Sequence, residues 1–122
     1  MSNFPQYPCH DILRDSWDYE VFTLSFHQSP IGEFEPFLDL TLKKDNVFRY
    51  LRFHSPKDLE IEKGFPARAG GFCIFDASSA GMDGVGIRVD DVRNGNGAIR
   101  FWARDVVEIG HFARVDNSIK FE

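Results

Sequence analysis

The sequence predicts a mostly β protein, folded as an antiparallel β-sandwich or an open barrel. Apolar and polar side chains alternate with a period of two along most of the chain after residue 18, as in strands with one buried face. Turn residues interrupt this pattern every ~8–12 residues, the spacing found in sandwiches and barrels. The 122 residues include 13 Phe, 3 Tyr and 2 Trp, and aromatic rings suit a half-buried pleated surface. The length fits a single domain, residues 1–122.

Residues 1–17 form an N-terminal segment in which we expect no more than one short helix. The run CHDILRDSW (residues 9–17) places Ile12, Leu13 and Trp17 on a narrow apolar stripe about one turn long. Its capping signals are ambiguous, so the predicted fold class does not depend on this helix.

About eight or nine short strands are predicted, and most show a clear inner face. They are the runs YEVFTLSFHQ (19–28), FLDLTLKK (37–44), VFRYLRFH (47–54), DLEIE (58–62), FCIFDAS (72–78), VGIRVDDV (85–92), AIRFWARD (98–105), VVEIGHF (106–112) and SIKFE (118–122). Inward positions should be Leu38, Leu40 and Leu42 in the second run, and Val85, Ile87 and Val89 in the sixth. FCIFDAS is apolar almost throughout, which predicts burial on both faces, and SIKFE is expected at a sheet edge.

The run AIRFWARD separates a core face from a polar face. Ile99, Phe101 and Ala103 point one way, and Arg100, Trp102 and Arg104 point the other. The preceding RNGNG (93–97) is a strong hairpin signal, because Asn-Gly supplies the positive φ that tight turns need. The strand before it therefore places Arg88 and Asp90 beside Arg100, and we expect ion pairs across the two strands.

A third strand, VFRYLRFH, offers further side chains of the same kind. It presents Tyr50, Arg52 and His54 on one face, whereas Arg49 falls on the apolar face, which indicates a sheet edge or a bulge. The predicted binding patch therefore consists of Tyr50, Arg52, Arg88, Arg100, Trp102 and Arg104. These residue types dominate interface hot spots, yet arginine beside tryptophan is also ordinary on a solvated sheet surface.

Motifs for catalysis or cofactor binding are weak. The four histidines have no metal-binding spacing, and Cys9-His10-Asp11 is a poor nucleophile site, because neighbouring residues point in different directions. The glycines lie in turns between strands, not in a phosphate-binding loop. Asp76, Asp83, Asp90 and Asp91 are weak calcium candidates, since aspartate is also the standard turn residue. We expect no cofactor and no catalytic residue, although a dispersed enzyme site stays open.

Charge and composition limit the partners. Nineteen acidic residues against 14 basic ones give a net charge of −5, which argues against nucleic acid and against acidic membranes. No apolar run approaches the ~20 residues of a membrane span, and the first residues lack the pattern of a signal peptide. Two cysteines are too few for a disulfide scaffold in a chain of this length. We therefore expect a cytoplasmic protein.

Residues 51–109 contain a characteristic spacing of apolar, aspartate and glycine positions. These positions are Leu51, Phe53, Asp58, Leu59, Ile61, Ile74, Asp76, Gly84, Val89, Asp91, Ile99 and Phe101. In this spacing, the chain resembles small, mostly uncharacterised bacterial all-β proteins, some of which look like immunity proteins that neutralise a toxin by binding it. The resemblance implies a protein partner. We accordingly expect a non-catalytic binding protein that acts through a protein–protein interface, as an immunity-type inhibitor or a homo-oligomer. The alternative is a binder of a carbohydrate-like ligand that uses Trp102 and Tyr50 as stacking platforms.

Overall fold

The computed structural model describes residues 7–65, 71–91, 97–115 and 118–121. These residues form nine strands: β1 (Glu20–His27), β2 (Phe37–Lys44), β3 (Val47–His54), β4 (Lys57–Ile61), β5 (Phe72–Asp76), β6 (Ile87–Asp91), β7 (Ile99–Ala103), β8 (Asp105–Val115) and β9 (Ser118–Phe121). Two single-turn 3-10 helices cover Ser16–Asp18 and Ser78–Ala80. The mostly β fold with antiparallel strands is thus confirmed.

Two sheets pack against each other. One has five strands in the order β1-β2-β3-β8-β9, and the other has four in the order β4-β7-β6-β5. The chain passes from one sheet to the other after β3 and again after β7. The two crossings lie together, because the Arg104 N–H donates a hydrogen bond to the His54 carbonyl oxygen at 2.8 Å.

The core fills the space between the sheets. Leu38, Leu40 and Leu42 are buried from the five-stranded sheet, as predicted. The rings of Phe53 in β3 and Phe101 in β7 meet edge to face, with 5.0 Å between their centroids. Since these strands belong to different sheets, the contact joins the inner face of one sheet to that of the other. The other predicted inward side chains, Ile87, Val89, Ile99 and Ala103, are buried as well, whereas Val85 lies before β6 and is half-buried.

Strand β5 is buried on both faces, and β9 is an edge strand, as the sequence predicted. The first four residues of β5 are all buried, including Cys73 and Phe75. The predicted hairpin between β6 and β7 pairs in the expected antiparallel register. Its RNGNG turn lies, apart from Gly97, outside the described residues.

Two bulges alter which side chains face outward. The pairing of β1 with β2 shifts between Val21 and Thr23, so Phe22 is the extra residue. The pairing of β3 with β8 shifts between Tyr50 and Leu51, so Ile109 is extra on β8. The extra residue belongs to β8, whereas β3 pairs regularly with β2 and lies inside the sheet. Arg49 therefore lies on the inner face, and the predicted edge or bulge in its own strand was wrong.

Arg49 itself is accommodated by partners at the end of the core. Its guanidinium forms an ion pair with Glu108 and donates a hydrogen bond to the Ile12 carbonyl oxygen at 3.4 Å. The bond to Glu108 raises the pKa of Arg49. A charged side chain on an apolar face is thereby neutralised without entering the core.

The short helix expected within residues 9–17 does not form. Cys9 forms an isolated antiparallel β-bridge with Phe75 at the edge of β5. There the His10 N–H donates to the Ile74 carbonyl oxygen at 2.9 Å, and the Asp76 N–H donates to the Pro8 carbonyl oxygen at 2.8 Å. This pairing holds residues 8–10 in an extended conformation, and only the 3-10 turn follows. In the described part of the chain, no helix has the length and apolar character needed to cross a membrane.

Candidate binding surface

The structure does not bring the six predicted patch residues together. Tyr50 and Arg52 lie on β3 of the five-stranded sheet, whereas Arg88, Arg100 and Trp102 lie on β6 and β7 of the four-stranded sheet. Because the sheets pack through their inner faces, these two groups lie on the outer faces of different layers. Arg104 follows β7 and lies at the crossing between the layers. The prediction of a single patch was therefore wrong, since alternation along a strand does not reveal which strands share a sheet.

On the four-stranded sheet, Trp102 is covered by other side chains. Arg88 lies directly opposite Trp102 across β6 and β7. Its guanidinium carbon lies 4.6 Å from the centroid of the indole ring, a cation–π contact. Tyr7 packs edge-on against the same ring at 6.3 Å. Trp102 is therefore not available as a flat stacking platform.

The arginines of this sheet are neutralised by carboxylates. Asp90 accepts from Arg100 Nε at 2.8 Å and from Arg88 Nη2 at 3.3 Å, so the predicted pairing across the strands is confirmed. Arg100 also reaches Glu62 at 3.1 Å. The Asp90 side chain is 11% exposed, and those of Arg88 and Arg100 are 15% and 25% exposed. This outer face satisfies its own charges, as an ordinary sheet surface does.

Arg104 belongs to a cluster at the crossing between the sheets. It forms ion pairs with Glu35 and with Asp105, the latter at 2.9 Å. The Ser55 hydroxyl donates to Glu35 Oε2 at 2.6 Å, and His54 Nδ1 lies 2.5 Å from Asp105 Oδ1. The bonds from Arg104 and Ser55 lower the pKa of Glu35 to about 2.

This cluster contains serine, histidine and aspartate but does not form a nucleophile–base pair. Ser55 donates its proton to Glu35, whereas a catalytic serine would donate to the histidine. No local sequence pattern reveals this cluster, because its members come from three separate segments, at residues 35, 54–55 and 104–105. The arrangement is that of a structural ion-pair network, which joins the loop before β2 to the two crossings.

The outer face of the five-stranded sheet is different, because it exposes apolar side chains. Phe22, Tyr50, Val107 and Ile109 are 58%, 36%, 42% and 46% exposed. We call these four residues the apolar patch. Two of its members, Phe22 and Ile109, are the extra residues of the bulges, and Phe22 packs edge to face on Phe48 at 5.5 Å. Strict alternation aligns Ile109 with Val107, as the structure shows, but places Phe22 with Leu24 and Phe26, and the bulge at Phe22 makes that placement wrong.

A shallow depression of about 260 Å³ lies within this face. Its lining includes Thr23, Ser25, Asp39, Thr41, Tyr50 and Ile109. The Thr23 hydroxyl donates to the Thr41 hydroxyl at 2.6 Å. The depression therefore combines hydroxyl groups with one aromatic ring.

Backbone and ion-pair contacts hold the side chains of this face in place. Tyr50 lies over Gly110, where an added Cβ atom would approach Tyr50 Cδ2 to 3.3 Å. Arg52 binds Asp39 with two hydrogen bonds of 2.9 and 3.0 Å, and its guanidinium carbon lies 3.9 Å from the centroid of the Phe37 ring. The predicted patch residue Arg52 is thus paired within the chain, and Tyr50 is the predicted residue that contributes exposed apolar surface.

The calcium candidates are mostly occupied by other contacts. Asp76 accepts hydrogen bonds from the hydroxyl and the N–H of Ser78 at 2.6 and 3.0 Å, which lower its pKa. Asp90 binds the two arginines, Asp91 is buried and Asp83 lies exposed in a turn. Among the residues that the structure describes, no three His, Cys, Asp or Glu side chains gather as metal ligands.

The Cys9-His10-Asp11 run does not converge either. Asp11 forms an ion pair with Arg14, and His10 Nδ1 accepts a hydrogen bond from the Ile12 N–H at 3.0 Å. Both cysteines are free thiols, and burial raises the pKa of Cys73 to about 11. The described surface therefore includes a neutralised outer face on the four-stranded sheet, an ion-pair cluster at the crossings and the apolar patch on the five-stranded sheet.

No family model matches the chain, and no curated protein or solved structure is detectably similar to it.

Proposed function

We propose that the chain is a non-catalytic binding protein that contacts another protein through the outer face of its five-stranded sheet. The observation that carries this proposal is the apolar patch, which gathers four large exposed side chains on one side of the molecule. Exposed apolar surface rimmed by polar groups marks interaction sites in soluble proteins.

The chemistry of this face supports a macromolecular partner. An interface typically has an apolar centre and a polar rim, and tyrosine is among the residues that contribute most to binding. Here Tyr50 and Ile109 lie beside the hydroxyls of Thr23 and Ser25. Tyr50 is already oriented by its contact with Gly110, so little conformational freedom is lost on binding.

The charge of the chain supports a basic partner. With a net charge of −5, the protein attracts cationic proteins and accelerates their association. An immunity-type inhibitor of a basic toxin, as the resemblance of residues 51–109 implies, fits these properties. We place the protein in the cytoplasm as part of the same proposal, since both cysteines are free thiols.

A matched pair of surface variants tests the proposal. Ile109 in the apolar patch and Ile61 on β4 of the other sheet are 46% and 47% exposed. We expect Ile109→Lys to abolish capture of cationic proteins from a lysate by the immobilised chain, and Ile61→Lys to leave it unchanged. Equal capture by both variants would show that the five-stranded sheet is not the binding face.

A second candidate function is favoured by the depression beside Tyr50. Its hydroxyl groups, the Asp39 carboxylate and an aromatic ring are the groups that bind sugars by hydrogen bonds and stacking. In this reading, Tyr50 is the stacking platform and Trp102 is not. A carbohydrate that raises the melting temperature of the wild-type chain but not of Tyr50→Ala would support it. A panel of sugars without any thermal shift would count against it.

A further inference from the structure

The free edge of β1 differs from the other sheet edges of the described chain. Residues 8–10 cover the edge of β5. Strand β4 carries three charges in five residues, is irregularly paired, and has Asp58 in the left-handed region at φ 55°. Strand β9 has only four residues. These are the usual protections of an edge, whereas β1 has eight residues with one formal charge, Glu20, and its one such feature is the bulge at Phe22 near its start.

The order of side chains along β1 is symmetrical once the bulge is taken into account. Phe22 is the extra residue, which leaves seven ladder positions with Leu24 at the centre. Val21, Leu24 and Phe26 pair with the buried leucines of β2, so they lie on the inner face. The remaining positions, Glu20, Thr23, Ser25 and His27, alternate with them on the outer face.

We propose that a second copy of this chain pairs antiparallel with β1 around a two-fold axis at Leu24. Such an axis is perpendicular to the sheet and keeps inner residues opposite inner residues. The register then places Leu24 opposite its own copy, Val21 opposite Phe26 of the second copy, and Thr23 opposite Ser25. Two five-stranded sheets become one sheet of ten strands, and β1 is no longer an edge.

Each pair in this register is favourable. Phe26 faces inward yet is 49% exposed, because no strand flanks it, and Val21 of the other copy would cover it. Thr23 and Ser25 are hydroxyl residues that can hydrogen-bond across the strands. Glu20 lies opposite His27 at each end, so the one acidic group of the strand meets the one histidine. A second copy suits this strand, because the two-fold axis forms the Val21–Phe26, Thr23–Ser25 and Glu20–His27 pairs twice each.

This dimer does not depend on the proposed function, because the backbone edge of β1 forms it, although Thr23 and Ser25 also line the depression of the outer face. The interface is limited to one strand per copy, so a weak, concentration-dependent dimer is expected. Sedimentation velocity of the full chain over a concentration series measures it directly. Ile109→Lys should leave the dimer intact even though it removes the proposed partner contact, so the failure of one proposal is distinguishable from the failure of the other.

Paired charges at positions 23 and 25 test the register. Thr23→Lys with Ser25→Lys places lysine opposite lysine twice and should weaken the dimer at least about tenfold. Thr23→Lys with Ser25→Glu places lysine opposite glutamate and should retain it. Both variants lose the Thr23 hydroxyl that donates to Thr41, so their stability is matched. An all-glutamate variant, Thr23→Glu with Ser25→Glu, should be monomeric alone and should form a heterodimer with the all-lysine variant.

Three results would overturn the proposal. A wild-type chain that stays monomeric at the highest concentration shows that the edge does not self-associate. An all-lysine variant that dimerises like the wild type shows that the copies meet elsewhere. Equal loss of the dimer in the lysine–lysine and lysine–glutamate variants, with no heterodimer on mixing, shows that the register is wrong.

Discussion

Asp90 should be the residue that stabilises the outer face of the four-stranded sheet most strongly. Its carboxylate accepts hydrogen bonds from Arg88 and Arg100, and from the Asp91 N–H at 2.7 Å. The substitution Asp90→Ala leaves two guanidinium groups side by side without their shared counter-ion. Because Arg88 also lies over Trp102, the loss disturbs the packing of the indole ring as well.

The expected loss of stability follows from the burial of these groups. Breaking a fully buried ion pair costs about 3–5 kcal/mol, and losing one hydrogen bond to a charged group costs about 1.5–3 kcal/mol. The side chains of Arg88 and Arg100 keep 15% and 25% of their exposure, so water replaces part of what is lost. We expect Asp90→Ala to lower the free energy of unfolding by about 2–4 kcal/mol. Domains of this size have about 5–15 kcal/mol in total, so the variant should fold.

Urea denaturation followed by tryptophan fluorescence measures this loss. The matched control is Glu62→Ala, because Glu62 binds Arg100 at 3.1 Å but its side chain is 38% exposed; it also accepts a long hydrogen bond from the Ala98 N–H at 3.3 Å. We expect the control to cost less than about 1 kcal/mol. If both variants lose the same small free energy of unfolding, Asp90 does not stabilise this face, and Arg88 and Arg100 become candidates for a binding surface again.

Three further predictions concern single sites. Glu35→Gln should lower the melting temperature at neutral pH, and its difference from the wild type should shrink as the pH falls from 4.5 to about 2, because in that range the unfolded chain binds a proton at Glu35 that the native carboxylate, with its pKa lowered to about 2, does not yet bind; equal differences at pH 7 and pH 2 would contradict the ion pair with Arg104. Iodoacetamide should modify Cys9 in the native protein but Cys73 only after unfolding, since Cys73 is buried with a pKa raised to about 11; mass spectrometry with and without urea decides this. Gly86→Ala should destabilise the fold by roughly 1–3 kcal/mol, because the new Cβ atom would lie 2.6 Å from the Arg104 carbonyl oxygen, and an unchanged urea midpoint would refute that contact.

The patterns that predict the strands are local in sequence. The errors arise where residues far apart in the sequence determine which strands pair. The alternation of Leu38, Leu40 and Leu42 with polar residues fixed their inward direction, because a period of two is a property of any extended chain. The pairing of Arg100 with Asp90 followed from one hairpin. Whether β3 lies in the same sheet as β7 depends on where the chain passes from one sheet to the other. No local sequence pattern indicates these positions.

Bulges and unexpected pairings explain the remaining differences. The extra residue Phe22 breaks the alternation of β1, so a strict period of two places it on the inner face with Leu24 and Phe26, whereas it packs outside against Phe48. Ile109 keeps the period of two with Val107, so the pattern aligns these two side chains correctly. The apolar stripe of residues 9–17 resembles a helix, but Cys9 pairs with Phe75, and hydrogen bonds to a neighbouring strand outweigh a weak helix propensity.

Deletion of residues 8–10 should uncover the edge of β5, to which they are paired. Without those residues, β5, of sequence FCIFD and buried on both faces in the native chain, would lose the partners of the Ile74 carbonyl oxygen and the Asp76 N–H and keep only the bond from the Ile74 N–H to Ser16 on that edge. Segments with that composition stack into fibrils when they are uncovered. A version that starts at residue 11 should therefore precipitate on concentration, whereas removal of the first six residues leaves this cover in place.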